Sequence, residues 1–310
     1  MTVQLPPKGI YSPIPTFFKK DYSIDYESIL KHVRYLYQAK VTGILIGGST
    51  GEAINLTREE RHEIIRRVRS EFPDPSFKVM GGAIGSCIPD LLDDIQGLKS
   101  LKVDYAVVLV PGYYGPGLTK QQGLVNFFQT VADSSKLPLL IYNYPGVQNN
   151  IDLTIESYIK LAKHPNIVGC KLTHYNFTLY TLICQNEEIK SANFRPLAGV
   201  GQVLVPALAT GIEGCIDGLS NVFPKSMLKV FNDYGKGDTV QAAKFQELVT
   251  TVNEMTAVLN LLGLKFALNH ILGIGEVLHG RPPIDQDIDE SVWEKYLPAF
   301  EKLWAIEKGL

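Results

Sequence analysis

Short apolar runs alternate along the chain with longer stretches whose apolar positions recur at helical spacing. The apolar runs are GIYSPIPTF (9–17), GILIGGS (43–49), FKVMGGAI (77–84), YAVVLVP (105–111), LPLLIYNYP (137–145), IVGCKLT (167–173), RPLAGV (195–200) and GCIDGL (214–219). They are nearly continuous rather than alternating in polarity, the pattern of strands covered on both faces. The clearest helix follows Thr57, where Thr57 and Glu60 have capping-box spacing and Ile64, Ile65 and Val68 carry the apolar face onward. Further helical stretches fall at 26–39, 88–101, 123–135, 154–164 and 224–235, and QVLVPALAT before the last run is long enough for two turns. Strand starts recur at about thirty residues, the length of one βα unit, and only the last gap is short. Eight such units without a break in composition predict the α/β class and a closed (β/α)8 TIM barrel rather than an open sheet. The barrel is complete near residue 236, which makes 1–236 the catalytic unit. Residues 237–310 read as a C-terminal three-helix extension packed on it: DTVQAAKFQELVTTVNEMTAVL, the Gly-interrupted LLGLKFALNHILG, and DESVWEKYLPAFEKLWAIE.

Composition narrows the function classes. At 310 residues, 45% hydrophobic and 20% charged, the chain has ordinary globular usage, which excludes disordered and fibrous classes. A net charge of −2, from 30 basic and 32 acidic residues, provides no electrostatic footprint for nucleic acid or an acidic membrane. No apolar run approaches the roughly twenty residues that span a bilayer. The start MTVQLPPKGIYSPIP lacks the basic-then-apolar order of a signal peptide. A cytoplasmic protein is expected. Cys87, Cys170, Cys184 and Cys215 form no C-x-x-C pair and are expected as buried, reduced thiols.

Barrels of this kind carry their chemistry at the C-terminal ends of the strands, so residues there that are out of place in a strand are the candidates. Lys171 lies inside IVGCKLT. A lysine in such a strand loses hydration, which favours the free amine, and a free amine can attack a ketone to form a Schiff base. Taken alone, a structural lysine paired to a carboxylate is the commoner outcome. Tyr142, ending the neighbouring run, supplies a phenol able to move a proton at a substrate oxygen. GGSTGE (47–52) places Gly48 and Gly51 around the Ser49 and Thr50 hydroxyls, a loop that lets backbone approach a ligand and can hold a carboxylate, or serve as a plain turn. It is not a phosphate-binding loop, since no Lys-Ser/Thr follows the last glycine. Tyr113 and Tyr114 in GYYGPG form an exposed pair of the kind found at interfaces. No histidine cluster with metal-ligand spacing is present. His62 on its charged helix reads as solvated, whereas His174, three residues past Lys171, is placed to touch a substrate.

In combination, GGSTGE, the tyrosine pair, YNYP and G-x-K, in that order, resemble the dihydrodipicolinate synthase/N-acetylneuraminate lyase family of class I, Schiff-base aldolases. The resemblance runs from about residue 8 into the 270s. It implies that Lys171 condenses with a 2-oxo acid such as pyruvate, that Tyr142 is the general acid/base, and that Ser49 and Thr50 bind the carboxylate. It further implies a proton relay from Thr50 to Tyr114, the latter reaching across from a neighbouring subunit of a dimer or tetramer. Gly199 and Ile216 fall where the family lines its pyruvate pocket. No metal or organic cofactor is implied, the covalent Schiff base serving as the electron sink.

The substrate is read from a departure. Family members that condense pyruvate with aspartate semialdehyde carry an arginine two residues after the proline of YNxP, and here that place is Val147. Without the guanidinium a second carboxylate loses its bidentate partner. YNYPGV and KLTH look more like 2-keto-3-deoxy-aldonate and 4-hydroxy-2-oxoglutarate aldolases, which cleave a 4-hydroxy-2-oxo acid to pyruvate and an aldehyde. The alternatives are dihydrodipicolinate synthesis, a keto-deoxy sugar acid dehydratase, a sialic acid lyase, and a non-catalytic sugar-acid sensor, which has no need of Tyr142.

Overall fold

The computed structural model describes residues 3–310. Eight parallel strands follow one another in chain order and close on themselves, β8 pairing with β1. They are β1 (Gly9–Pro13), β2 (Gly43–Ile46), β3 (Lys78–Ala83), β4 (Tyr105–Leu109), β5 (Leu139–Asn143), β6 (Ile167–Leu172), β7 (Arg195–Ala198) and β8 (Gly214–Ile216). The fold is therefore the expected (β/α)8 barrel. Each strand ends before the apolar run that announced it: the run at 43–49 pairs only to Ile46, and that at 214–219 only to Ile216. Most of the residues left over, such as Ile14, Phe17, Val110 and Leu219, are apolar and stay covered after leaving the ladder, while Ser49 is exposed, and together they build the mouth of the barrel.

The helices at 26–39, 88–101, 123–135, 154–164 and 224–235 form within a few residues of their expected ends. The capping box of Thr57 and Glu60 starts helix Arg58–Glu71 with both reciprocal bonds made. Helix Phe177–Gln185, between β6 and β7, has no counterpart among the sequence-predicted stretches. Its FTLYTLICQ is rich in aromatic and β-branched residues, which favour strands. What fixes it as a helix is the Asn176 side chain, which accepts from the Leu179 N–H, and burial of Leu179, Tyr180, Ile183 and Cys184 against the barrel.

Two apolar layers result. Tyr11, Leu45, Met80, Leu140, Val168, Leu197 and Ile216 fill the barrel interior, while a much larger cluster lies between the strands and the helices. The C-terminal region holds the three expected helical pieces, two within Thr239–Leu272 and the third at Glu290–Gly309. The first two meet at Asn260, whose backbone (φ 54°, ψ −145°) is not helical, and together they make a long bent helix. That helix has a window of mean hydropathy 1.4, long and apolar enough by composition to cross a membrane, which the sequence reading did not foresee. Here it packs Phe266 against Trp293 of the last helix, which in turn packs Phe300 on Phe223. Buried Glu307 ties the last helix to the barrel by accepting from the Lys225 and Ser226 N–H groups.

Two expectations are corrected. His62 is not solvated: it is largely buried and bonds Asp94 at 2.9 Å, because the charged helix face carrying it is covered by helix Ile88–Ser100. Cys87 is exposed, being at the N-cap of that helix, whereas Cys170, Cys184 and Cys215 are buried, and all four thiols are free.

Asp94 is fully buried. Burial alone pushes its carboxyl pKa up, but hydrogen bonds from His62 and the Ile84 N–H and the charge of Arg61 outweigh this and hold it below the ordinary range. A depressed folded-state pKa stabilises the protein above the carboxylate range, and that stabilisation is lost as pH falls through it. Asp94→Ala leaves Arg61 buried without its partner and is expected to cost about 3–5 kcal/mol. Urea denaturation near neutral pH measures this, and the difference from the parent protein should shrink on acidification.

Candidate active site

Lys171 points into the barrel because of a slip in the β5–β6 ladder. Leu139 pairs with Ile167, but the next residue, Leu140, pairs with Gly169, so β6 carries one extra residue. Such a bulge reverses the inward–outward phase of everything after it. Val168 faces the interior and Cys170 the outer layer, so Lys171 returns inward. Glycine is required at 169, since a Cβ there would lie 2.2 Å from the Arg195 carbonyl oxygen. The G-x-K spacing is thus a packing device that aims the lysine.

Lys171 is 3% exposed and is the register partner of Tyr142 on β5. Its Nζ sits 4.2 Å from the centre of the Tyr142 ring. Among the described residues no carboxylate pairs with this amine; Asp217, the buried acid just past β8, instead accepts from the Ser220 N–H. Burial raises the Asp217 pKa to about 6. The Tyr142 hydroxyl lies 3.3 Å from Ser49 Oγ, which joins the GGSTGE loop to the lysine–tyrosine pair.

That loop is held from behind. Gly47 has φ +74°, a conformation glycine adopts without strain. The Gly51 N–H donates to the Gly48 carbonyl, and the Thr16 hydroxyl donates to the Gly51 carbonyl. Glu52, also at positive φ, turns its carboxylate into the protein, where it pairs with Lys265 of the long helix. Both side chains are fully buried, and Lys265 also donates to the His279 carbonyl at 3.0 Å. Burial lowers the Lys265 pKa against the pull of Glu52. The last residue of GGSTGE therefore anchors the loop to the C-terminal extension, a role the sequence motif did not reveal.

One strand repeat beyond Tyr142, Lys171 and Leu197 stand Tyr144, Thr173 and Gly199, the next layer up on the same face. These three line a cavity of roughly 210 Å³ over the barrel mouth, together with Thr50 and Gln202. Gly199 is needed there because a Cβ would meet Thr173 Oγ1 at 2.0 Å. The far wall comes from the long helix: Asn253, Thr256, Asn260 and Leu264. Sequence reasoning missed Tyr144, Thr173, Gln202 and this helix face. The available signal was three polar residues at helical spacing within an otherwise apolar stretch.

The remaining expected residues divide. Ile216 lies in the interior layer with Tyr142. His174 is not in the cavity wall: its Nδ1 accepts from the Asn176 N–H and its ring packs 5.2 Å from that of Tyr180. Burial lowers its pKa, opposed by Asp152. Tyr114 is 72% exposed and stacks edge-on against Tyr113; within one chain it makes no hydrogen bond to Thr50 among the described residues. No group of three or more His, Cys, Asp or Glu side chains arranged to hold a metal ion occurs among the described residues.

An inward lysine, a phenol against it and a hydroxyl-bearing loop at the mouth of a (β/α)8 barrel define a lyase of the lysine-dependent class. The chain belongs to the dihydrodipicolinate synthetase family, whose profile matches residues 6–296. It is 31% identical over 305 residues to a protein of Emericella nidulans named as a mitochondrial 4-hydroxy-2-oxoglutarate aldolase, covering 97% of this chain and 96% of the other. An L-threo-3-deoxy-hexylosonate aldolase of Aspergillus niger is 30% identical over 328 residues, again covering 97% and 96%. The crystal structure of a dihydrodipicolinate synthase family protein from Coccidioides immitis superposes with a TM-score of 0.87 at 30% identity, over 99% of this chain and 98% of that one.

Replacing Lys265 by Met leaves Glu52 buried and unpaired, and is expected to destabilise the protein by about 3–5 kcal/mol. A double-mutant cycle with Glu52→Gln, followed by chemical denaturation, should recover part of the loss.

Proposed function

We propose that this protein is a class I aldolase that cleaves a 4-hydroxy-2-oxo acid, of the 2-keto-3-deoxy sugar acid or 4-hydroxy-2-oxoglutarate kind, to pyruvate and an aldehyde. The observation that carries the reading is the pairing of an inward, carboxylate-free Lys171 with Tyr142, itself within reach of Ser49. Lys171 Nζ adds to the C2 carbonyl and water leaves, giving an iminium. Tyr142 gives its proton to the departing water and is left as a phenolate beside the Ser49 hydroxyl, and the C4 hydroxyl then returns a proton to that phenolate as the C3–C4 bond breaks. The electron pair of that bond is taken up by the iminium as an enamine, and the aldehyde departs. Protonation at C3 and addition of water return pyruvate and the free amine. The reaction requires no metal or added cofactor, because the iminium is the electron sink.

Ser49, Thr50 and the N–H groups around Gly48 and Gly51 hold the C1 carboxylate in this reading, and Gly199 and Ile216 shape the pyruvate end. His174 orders the chain after β6, its Nδ1 accepting from the Asn176 N–H. Val147, 46% exposed, stands where a semialdehyde-condensing relative has its arginine, which favours cleavage over dihydrodipicolinate synthesis. Tyr114 completes the relay from a second copy, in a homodimer or homotetramer. The exposed Tyr113, Tyr114 and Leu118 on one loop supply the surface for that contact. We place the enzyme in the cytosol, a reducing setting in keeping with four free thiols. Imaging of the tagged full-length protein tests this against the mitochondrial designation of the Emericella relative.

Aldehyde release on a panel of 4-hydroxy-2-oxo acids tests the reaction. Turnover of at least one is expected; turnover of pyruvate plus aspartate semialdehyde alone overturns it. Tyr142→Phe is expected to lower kcat by about 10²–10⁴-fold, the usual contribution of a positioned acid/base. Light scattering should give a dimer or tetramer, and Tyr114→Phe should lower kcat only if the assembly forms.

A further inference from the structure

The cavity above Lys171 has one chemical property that bears on the aldehyde half of the substrate: none of the residues lining it is charged. Its polar wall consists of Thr50, Thr173, Gln202, Asn253, Thr256 and Asn260, beside Tyr144 and Tyr175. At roughly 30 Å³ per water, 210 Å³ accommodates a short hydroxylated carbon chain.

The polar groups on the long helix are already ordered. Gln202, in the loop after β7, accepts through Oε1 from the Asn253 amide, and the Thr250 hydroxyl donates to the Gln202 carbonyl. The Thr256 hydroxyl donates to the Asn253 side chain at 2.7 Å, which fixes its rotamer and leaves oxygen lone pairs free to accept. Asn260 is exposed and its Oδ1 accepts from the Leu261 N–H, which fixes which side of the amide is available and leaves both Nδ2 hydrogens open to solvent or a ligand. Thr173 Oγ1 is buried without any partner. The break in the helix falls at Asn260, with a positive φ that costs a non-glycine residue about 1–3 kcal/mol. Strain at a residue that faces a cavity with spare donors is the pattern of a ligand-reading position rather than of packing.

We infer that Thr256 and Asn260, with Thr173 opposite, form a subsite that reads the hydroxyl groups of a neutral polyol chain, so that the protein selects 2-keto-3-deoxy sugar acids over 4-hydroxy-2-oxo acids bearing a second carboxylate. The assignment rests on the aldolase reading and narrows it. A hydroxyl can donate to Thr256 Oγ1 and accept from Asn260 Nδ2, whereas a second carboxylate brought into this wall finds no cation and is desolvated without compensation. The GGSTGE loop is tied through Glu52 to Lys265, on the far side of the break at Asn260 from Thr256.

The test compares kcat/KM for a 2-keto-3-deoxyhexonate with that for 4-hydroxy-2-oxoglutarate, in the parent protein and in Thr256→Val, Asn260→Gly and Asn260→Arg. Glycine at 260 keeps the backbone conformation while removing the amide. The parent is expected to favour the sugar acid by about tenfold or more, and Thr256→Val and Asn260→Gly each to lower that ratio several-fold. Asn260→Arg should move it toward the dicarboxylate. Borohydride trapping of pyruvate on Lys171 should persist in all three, which shows that they fold. A parent preference for the dicarboxylate, or ratios unmoved in variants that still trap pyruvate, overturns the subsite alone. A parent that neither traps pyruvate nor cleaves either acid overturns the aldolase reading and this assignment with it.

Discussion

The placement of a single amine depends on a one-residue slip between two strands. Without the bulge at Val168–Gly169, Lys171 would project into the outer apolar layer among the helices, and the barrel interior would hold no nucleophile. With it, the lysine shares a layer with Tyr142 and Leu197, and the residues one repeat further on become the floor of the substrate cavity. Gly169 allows the slip because its missing Cβ makes room for the Arg195 carbonyl. The backbone of β6 thus does for the lysine what no neighbouring side chain could: it chooses the face.

A second constraint acts from the other side. The loop bearing Ser49 and Thr50 leaves β2 through a glycine at positive φ and ends in Glu52, whose carboxylate is buried against Lys265. Buried ion pairs contribute little net stability once desolvation is counted. They do define geometry, and this one sets the loop relative to a helix from the C-terminal extension. The extension is accordingly part of the site: its helix closes the cavity with Asn253, Thr256 and Asn260.

Much of this was legible in the sequence, and the parts that were not share a physical reason. Strand count and order could be read because strands covered on both faces are almost uniformly apolar, and such runs stand out. Lys171, Tyr142 and the GGSTGE loop could be read because each breaks that uniformity at a strand end. The exact strand ends could not, since apolar residues such as Ile14, Val110 and Leu219 stay covered beyond the last ladder pair. Helix Phe177–Gln185 was hidden by strand-favouring residues that tertiary burial overrides. His62 was misread because burial of a charged helix face under another helix leaves no mark on the local pattern. The helical wall of the cavity was missed because residues 237–310 meet the barrel mouth only through long-range packing. The Glu52–Lys265 pair spans 213 positions in the chain, a juxtaposition that local reading does not reach.

The departure at Val147 and the uncharged cavity point the same way. A guanidinium is absent two residues after Pro145, and no cation lines the cavity. Specificity is therefore expected to come from hydroxyl and amide partners, which discriminate by leaving a polar group unmatched when the wrong substrate enters. The catalytic pair and the selecting wall are on different parts of the chain, so the aldehyde specificity can vary while the pyruvate chemistry is kept.

The most direct test of the central claim is to incubate the protein with pyruvate, reduce with borohydride and locate the adduct by peptide mass spectrometry. The account predicts a reduced pyruvyl group on Lys171 and no labelling when that residue is replaced by arginine. Labelling at another lysine, or none in a folded protein saturated with pyruvate, would contradict it.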